Sequence, residues 1–201
     1  MKKTRRVAAL VIIAAAVLSL SSCGWVIAIF NHMNIEGEFY SLDELVVEYL
    51  GSDGMGNHLF DVLLLSEDLD YSEISGITGN GDGLGFILVG DDNELSEGDY
   101  RYDSASYAAG TFFDAGAVTG FVRSSTGELI DVDQSIWIDA GNVWIRETLL
   151  GEYVIEFELD GVDEETGARV DVDGRFRGEI DRFIDNSSMA MTNQTPTFSF
   201  R

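Results

Sequence analysis

Tyr153-Val-Ile-Glu-Phe-Glu-Leu-Asp160 decides the fold class. Ile155, Phe157 and Leu159 alternate with Glu156, Glu158 and Asp160, and only Val154 breaks the pattern. A period of two with one apolar and one charged face is a half-exposed strand of antiparallel sheet. The same alternation runs upstream, with Val143 and Ile145 set against Asn142, Trp144 and Arg146. Downstream, after a loop at Gly161 to Gly167, it passes through Val170 and Val172. It then continues through Phe176 and Ile180, with Arg175, Arg177, Glu179 and Asp181 facing out. Placing Phe157 opposite Val172 sets Glu158 against Asp171 and Glu156 against Asp173, and like charges opposed on a sheet repel. A register two residues away gives Glu158–Arg169 and Glu152–Arg175 instead. Glu156, Glu158, Asp171 and Asp173 thus form an acidic face whose charge cations would relieve, Ca2+ among them.

Working outward, Asn34–Tyr40 reads as a short strand pair turned at Gly37. Leu42–Leu50 reads as a strand with Leu45, Val47 and Tyr49 on one face and Glu48 on the other. His58–Ser66 is apolar on both faces, as a strand covered on both sides must be. Residues 67–83, polar and ending Gly79-Asn-Gly-Asp-Gly83, read as a long loop before a strand at Leu84–Val89. Further strands follow the turn at Gly98, a glycine-punctuated pair at Gly110–Val122, and Ile136-Trp-Ile138. About ten such segments give an all-β domain, an antiparallel β-sandwich or partly open barrel, over residues 34–185. Residues 186–201 form a polar tail in which Phe198 and Phe200 could add an edge strand.

The N-terminus reads as an address. Lys2, Lys3, Arg5 and Arg6 precede an uncharged apolar run, Val7–Leu20, and then Leu20-Ser21-Ser22-Cys23, the chain's one cysteine. These are the charged and apolar regions of an export signal with small residues at the cleavage point. Leu20-Ser21-Ser22-Cys23 resembles a bacterial lipobox, which implies removal of residues 1–22 and a diacylglycerol or acyl lipid on Cys23. Residues 23–33 would then be a short tether. Gly24 rather than an aspartate follows Cys23, which points to the outer membrane or cell surface. The competing reading is a retained signal anchor in the inner membrane, because no charge appears from Val7 to Phe30, long enough to span a bilayer.

Charge narrows the partners. Of 36 acidic and 12 basic residues, four basic ones precede Cys23, leaving eight against 36 and a formal −28 after it, with no lysine. This disfavours nucleic acid and bare anionic lipid and favours cations, basic partners or solubility in high salt. One cysteine cannot close an internal disulfide, so the core must hold the domain.

The succession Ile35-Glu-Gly-Glu-Phe-Tyr40, Leu95-Ser-Glu-Gly-Asp-Tyr100, Gly141-Asn-Val-Trp-Ile145, Gly151–Asp160 and Val170–Gly178 resembles the small uncharacterised lipoproteins of Bacteroidetes. That resemblance implies a β-sandwich and an envelope location, and it carries no catalytic motif. The chain departs from the pattern in the apolar Gly24–Phe30, where a polar spacer is usual.

Candidate chemistry is sparse. Thr78–Gly83 and Arg169–Gly174 echo the middle of a calcium loop but lack the acidic first ligand and the closing Glu, since Val89 and Ile180 stand there. His32 and His58 are isolated, and no Gly-x-Ser-x-Gly or phosphate loop occurs. Trp137 and Trp144 point away from the apolar face of their strands, which suits packing beneath a second layer or an exposed platform for a sugar ring. The expected function is a non-catalytic binding or structural module on the envelope, with a glycan or protein partner and no cofactor. The alternatives are a glycan hydrolase using two carboxylates and a cation-dependent surface protein of a high-salt organism.

Overall fold

In a computed structural model, residues 31–72 and 76–187 are described. They contain no helix and form thirteen strands. These are β1 (His32–Ile35), β2 (Glu38–Ser41), β3 (Glu44–Ser52), β4 (His58–Leu65), β5 (Leu69–Ser72), β6 (Gly76–Gly90), β7 (Gly98–Tyr102), β8 (Thr111–Arg123), β9 (Leu129–Asp131), β10 (Gln134–Glu147), β11 (Tyr153–Asp163), β12 (Arg169–Gly178) and β13 (Arg182–Asp185).

All thirteen belong to one sheet, ordered β13-β3-β4-β6-β8-β7-β10-β11-β12-β1-β2, with β5 added to β6 and β9 to β8. The sheet coils into an open half-barrel, which corrects the expected two-sheet sandwich in favour of the partly open barrel. It is also mixed rather than purely antiparallel, because β13 runs parallel to β3 and β7 parallel to β8. The curl follows from the short link between β2 and β3. Leu42 N donates to Asn31 O at 3.2 Å and Asp43 N to Leu65 O at 2.7 Å, tying the β1–β2 end of the sheet to β3 and β4. Closing a sheet on itself lets one concave face serve as the whole core. That core takes Leu45, Val47, Phe60, Val62, Phe86, Phe112, Ile138, Val143, Phe157, Val172 and Phe176, all at most 1% exposed.

The inward series is the one expected for β3 and for β10 to β12. β4 is buried on both faces, as its sequence demands. Its outward Leu63 and Leu65 pack with Val46, Val118, Leu69, Tyr71 and Ile77. Three of those partners lie on the β5–β6 hairpin, which replaces the loop expected over residues 67–83. The glycines there permit close pairing rather than a flexible loop: a Cβ on Gly79 would lie 2.2 Å from the carbonyl oxygen of Asp68. Two further expectations change in the same direction. Gly110–Val122 is a single strand, β8, bulged against β6, and residues 136–138 and 143–145 are two stretches of one strand, β10, kinked by a bulge at Ile138/Ala140.

Candidate functional site

Two polar surfaces stand out on this scaffold. The first is the outward face of β10, β11, β12 and β1. Antiparallel pairing sets Leu159 opposite Val172, so the observed register is neither of those considered above. It places Glu158 against Asp173, Asp160 against Asp171 and Glu156 against Arg175. Neighbouring strands extend these rows, with Trp144 and Asn142 beside Glu156 and Glu158 and with His32 and Asn34 beside Arg175 and Asp173. Glu156, Glu158, Asp171 and Asp173 therefore share one shallow depression of about 940 Å³ with Trp144, Arg146 and Arg175.

Charge there is partly offset. Arg175 Nε lies 3.5 Å from Glu156, Arg169 grips Asp139 at 2.7 Å, and Arg177 pairs with Glu152 at 2.6 Å although Glu152 is not its cross-strand partner. Asn34 Nδ2 donates to Asp173 at 2.8 Å. The Asp139 carboxylate, with help from Asp160 and Asp171, holds the Arg169 guanidinium above its ordinary pKa. Among the described residues no three His, Cys, Asp or Glu side chains converge as a metal-ligand set. Trp144 lies on this face only half-buried, and Trp137 is likewise half-buried on the outer surface, so neither packs in the core.

The second surface was not foreseen. Toward one end of the half-barrel each inward series turns from apolar to polar. Leu45 gives way to Asp43, Leu64 to Ser66, Leu84 to Asp82, Ala117 to Thr119, Ile136 to Gln134 and Gly161 to Asp163, and these polar residues line a basin of about 960 Å³. Asp82, set at the β6 bulge, accepts from Gly120 N at 2.9 Å, while its own amide donates to Ser66 Oγ at 3.0 Å. Gly120 has φ +57°, and a Cβ there would stand 2.2 Å from Asp133 Oδ2, so two carboxylates bracket one glycine. Burial pushes the Asp82 carboxyl above the ordinary aspartate value, against the Gly120 hydrogen bond and with the Asp133 charge adding to the rise.

Across the basin Asp163 is held below the ordinary value. The Thr166 hydroxyl and amide, Gln134 Nε2 and the Glu165 amide all donate to it. Burial likewise raises the Tyr40 hydroxyl, which donates to Glu38 at 3.0 Å. The signal for this basin is the parity of Asp82, Thr119 and Gln134 with the inward Leu84, Ala117 and Ile136, each two positions away. Reading residues 67–83 as a loop concealed it.

A third polar group is structural. Glu48 and Asp61 are opposed on the outward faces of β3 and β4, 9% and 4% exposed, and Glu48 accepts from Tyr71 Oη and Asn186 Nδ2. His58 Nδ1 meets Tyr49 Oη at 2.6 Å, an ordinary polar contact. Leu20, Ser21, Ser22 and Cys23 lie outside the described residues, as does the tail beyond Ser187. The chain matches no known family model, no curated protein and no solved structure.

Proposed function

We propose that this chain is an exported lipoprotein, anchored through acyl lipid on Cys23, whose domain is a non-catalytic binding module of the small envelope-lipoprotein type. Its ligand face is the outward side of β10, β11, β12 and β1. The observation that carries this reading is the depression that gathers Trp144, Arg146, Glu156, Glu158, Asp171, Asp173 and Arg175 above a closed core. Planar hydrogen-bonding groups beside a partly exposed indole suit a glycan or a protein strand. With two acid pairs directly opposed, cations act at this face by loose neutralisation and not by chelation.

Mass spectrometry of protein purified from membranes tests the anchor. A lipid adduct on an N-terminal Cys23 is expected, and an intact Met1 start would replace the lipoprotein with a signal anchor. Thermal melting at low salt, at high salt and with calcium tests the face. Melting temperature is expected to rise with either addition, and no change would remove cations from the proposal.

Asp82 and Asp133 favour a second reading, a two-carboxylate hydrolase of glycans, since a buried acid with a raised pKa beside a second carboxylate is the arrangement such chemistry uses. Reducing-sugar release from a polysaccharide panel, lost in Asp82→Asn, would establish it. Absence of release would leave the binding module standing.

A further inference from the structure

The turn joining β10 to β11 has a composition that turns avoid. Thr148-Leu-Leu-Gly151 places two leucines where Asn, Asp, Ser or Gly is usual. The turn is nevertheless well made. Gly151 N donates to Thr148 O at 3.0 Å, and Thr148 Oγ1 accepts from Leu150 N at 3.3 Å and Glu152 N at 3.2 Å. Leu149 and Leu150 are thereby held outward, 106% and 78% exposed, at the tip of a hairpin of 14- and 11-residue strands. Backbone strain does not force them there, and solvation does not favour them there.

The tip is linked to Asn31, eight residues beyond Cys23 in the sequence. Asn31, the first described residue, exchanges two hydrogen bonds with Arg177, its Oδ1 accepting from the backbone amide at 2.7 Å and its Nδ2 donating to the carbonyl at 3.0 Å. The Arg177 side chain pairs with Glu152 at 2.6 Å, and Glu152 closes the Leu149–Leu150 turn through its carbonyl and amide. Before Asn31 the sequence is uncharged back to Val7. If Cys23 carries the lipid, the intervening residues reach no more than about 28 Å. If residues 7–30 span the membrane instead, the reach is shorter still. Gln134 and Asp163, which line the acidic basin, stand at the ends of β10 and β11 away from the tip.

We propose that Leu149 and Leu150 form a lipid-docking tip. It inserts into the bilayer that anchors the chain and holds the β10–β11 turn against that membrane. This rests on the membrane-anchored reading but holds for either form of anchor. The occupant is a zwitterionic lipid surface, because Glu97 and Glu147 beside the turn disfavour anionic headgroups.

The test uses the full chain purified from membranes and reconstituted into phosphatidylcholine vesicles. Variants L150C and S125C carry an environment-sensitive fluorophore, and labelled wild-type protein supplies the background from Cys23. Ser125 is exposed in the β8–β9 turn at the basin end. Spin-labelled phosphatidylcholine is expected to quench the L150C label about threefold more strongly than the S125C label, as a residue buried in the headgroup–acyl boundary would be. Vesicle flotation is read in parallel. Protein that floats with neither label quenched overturns the tip and leaves the anchor intact. Equal quenching of both labels also overturns it, since the domain would then lie on its side. Protein that does not float overturns the anchor, and the tip with it.

Discussion

One sheet here contains two kinds of strand. In β3, β4, β6 and β8 both faces are largely buried, the inner face in the common core and the outer face in smaller apolar clusters that enclose the Glu48–Asp61 pair. In β10, β11, β12 and β1 the inner face feeds the same core, while the outer face is a lattice of charges and amides open to solvent. The half-barrel shares its interior equally and its exterior not at all. Packing therefore governs the outside of the first half, and electrostatics governs the outside of the second.

The sharpest way to break that contrast is to truncate one outward side chain in each half. Leu63→Ala empties a site that is 0% exposed and should destabilise the domain by about 2–5 kcal/mol in chemical denaturation, through lost transfer energy and a cavity. Glu158→Ala, at an outward position of β11, should change stability by less than about 0.5 kcal/mol. Similar costs at the two sites would mean the second half is covered as well. Next in size is Tyr71→Phe, which removes a donor to the buried Glu48 carboxylate and should cost about 1–3 kcal/mol. A neutral result would mean that Glu48 finds replacement solvent and that this outer layer is looser than its burial implies.

The same contrast decides what could be read from sequence alone. Tyr153–Asp160 and its neighbours were legible because solvent marks every second residue, so strand, face and acidic cluster followed directly. Register did not, because Phe157 and Leu159 are equally good partners for Val172 and the pairing depends on the loop between the strands. His58–Ser66 was legible as doubly covered, but its cover was not. The covering residues Leu69, Tyr71 and Ile77 are thinly spread through a polar, glycine-rich stretch whose pairing depends on close backbone approach. The basin failed for a related reason. Asp82, Thr119 and Gln134 come from three strands, and only the pairing of β8 with both β6 and β10 brings them side by side.

In that basin two aspartates should respond to pH with opposite sign. The carboxyl of Asp82 is raised by burial, so the native state binds its proton more tightly than the unfolded chain. Its contribution is present at low pH and lost as pH rises through the folded value. The Asp163 carboxyl is lowered by its donors, foremost the Thr166 hydroxyl, so its contribution is present at neutral pH and lost as pH falls through the folded value. Asp82→Asn should therefore gain melting temperature relative to wild type as pH rises from acid to neutral. Asp163→Asn should lose it over the same interval, each by no more than about 4 °C. Parallel profiles would mean that the two carboxylates share one environment and that the basin is not built as described.

The smallest effect tests the charged half most directly. Asp160 and Asp171 are opposed across β11 and β12, and both lie near Arg169, whose main partner is Asp139. Repulsion between them competes with their shared attraction to that guanidinium. Asp171→Asn should therefore stabilise the domain at low salt by only about 0.2–1 kcal/mol, the scale of a cross-strand like-charge pair. At 1 M salt the screening length falls to about 3 Å and the gain should vanish. A substitution that stabilises equally at all salt concentrations would be acting through strand propensity, and one that destabilises would show that Arg169 dominates. Only a gain that salt abolishes is what an outer face held by charge requires, and Leu63→Ala on the other half should keep its cost at every salt concentration.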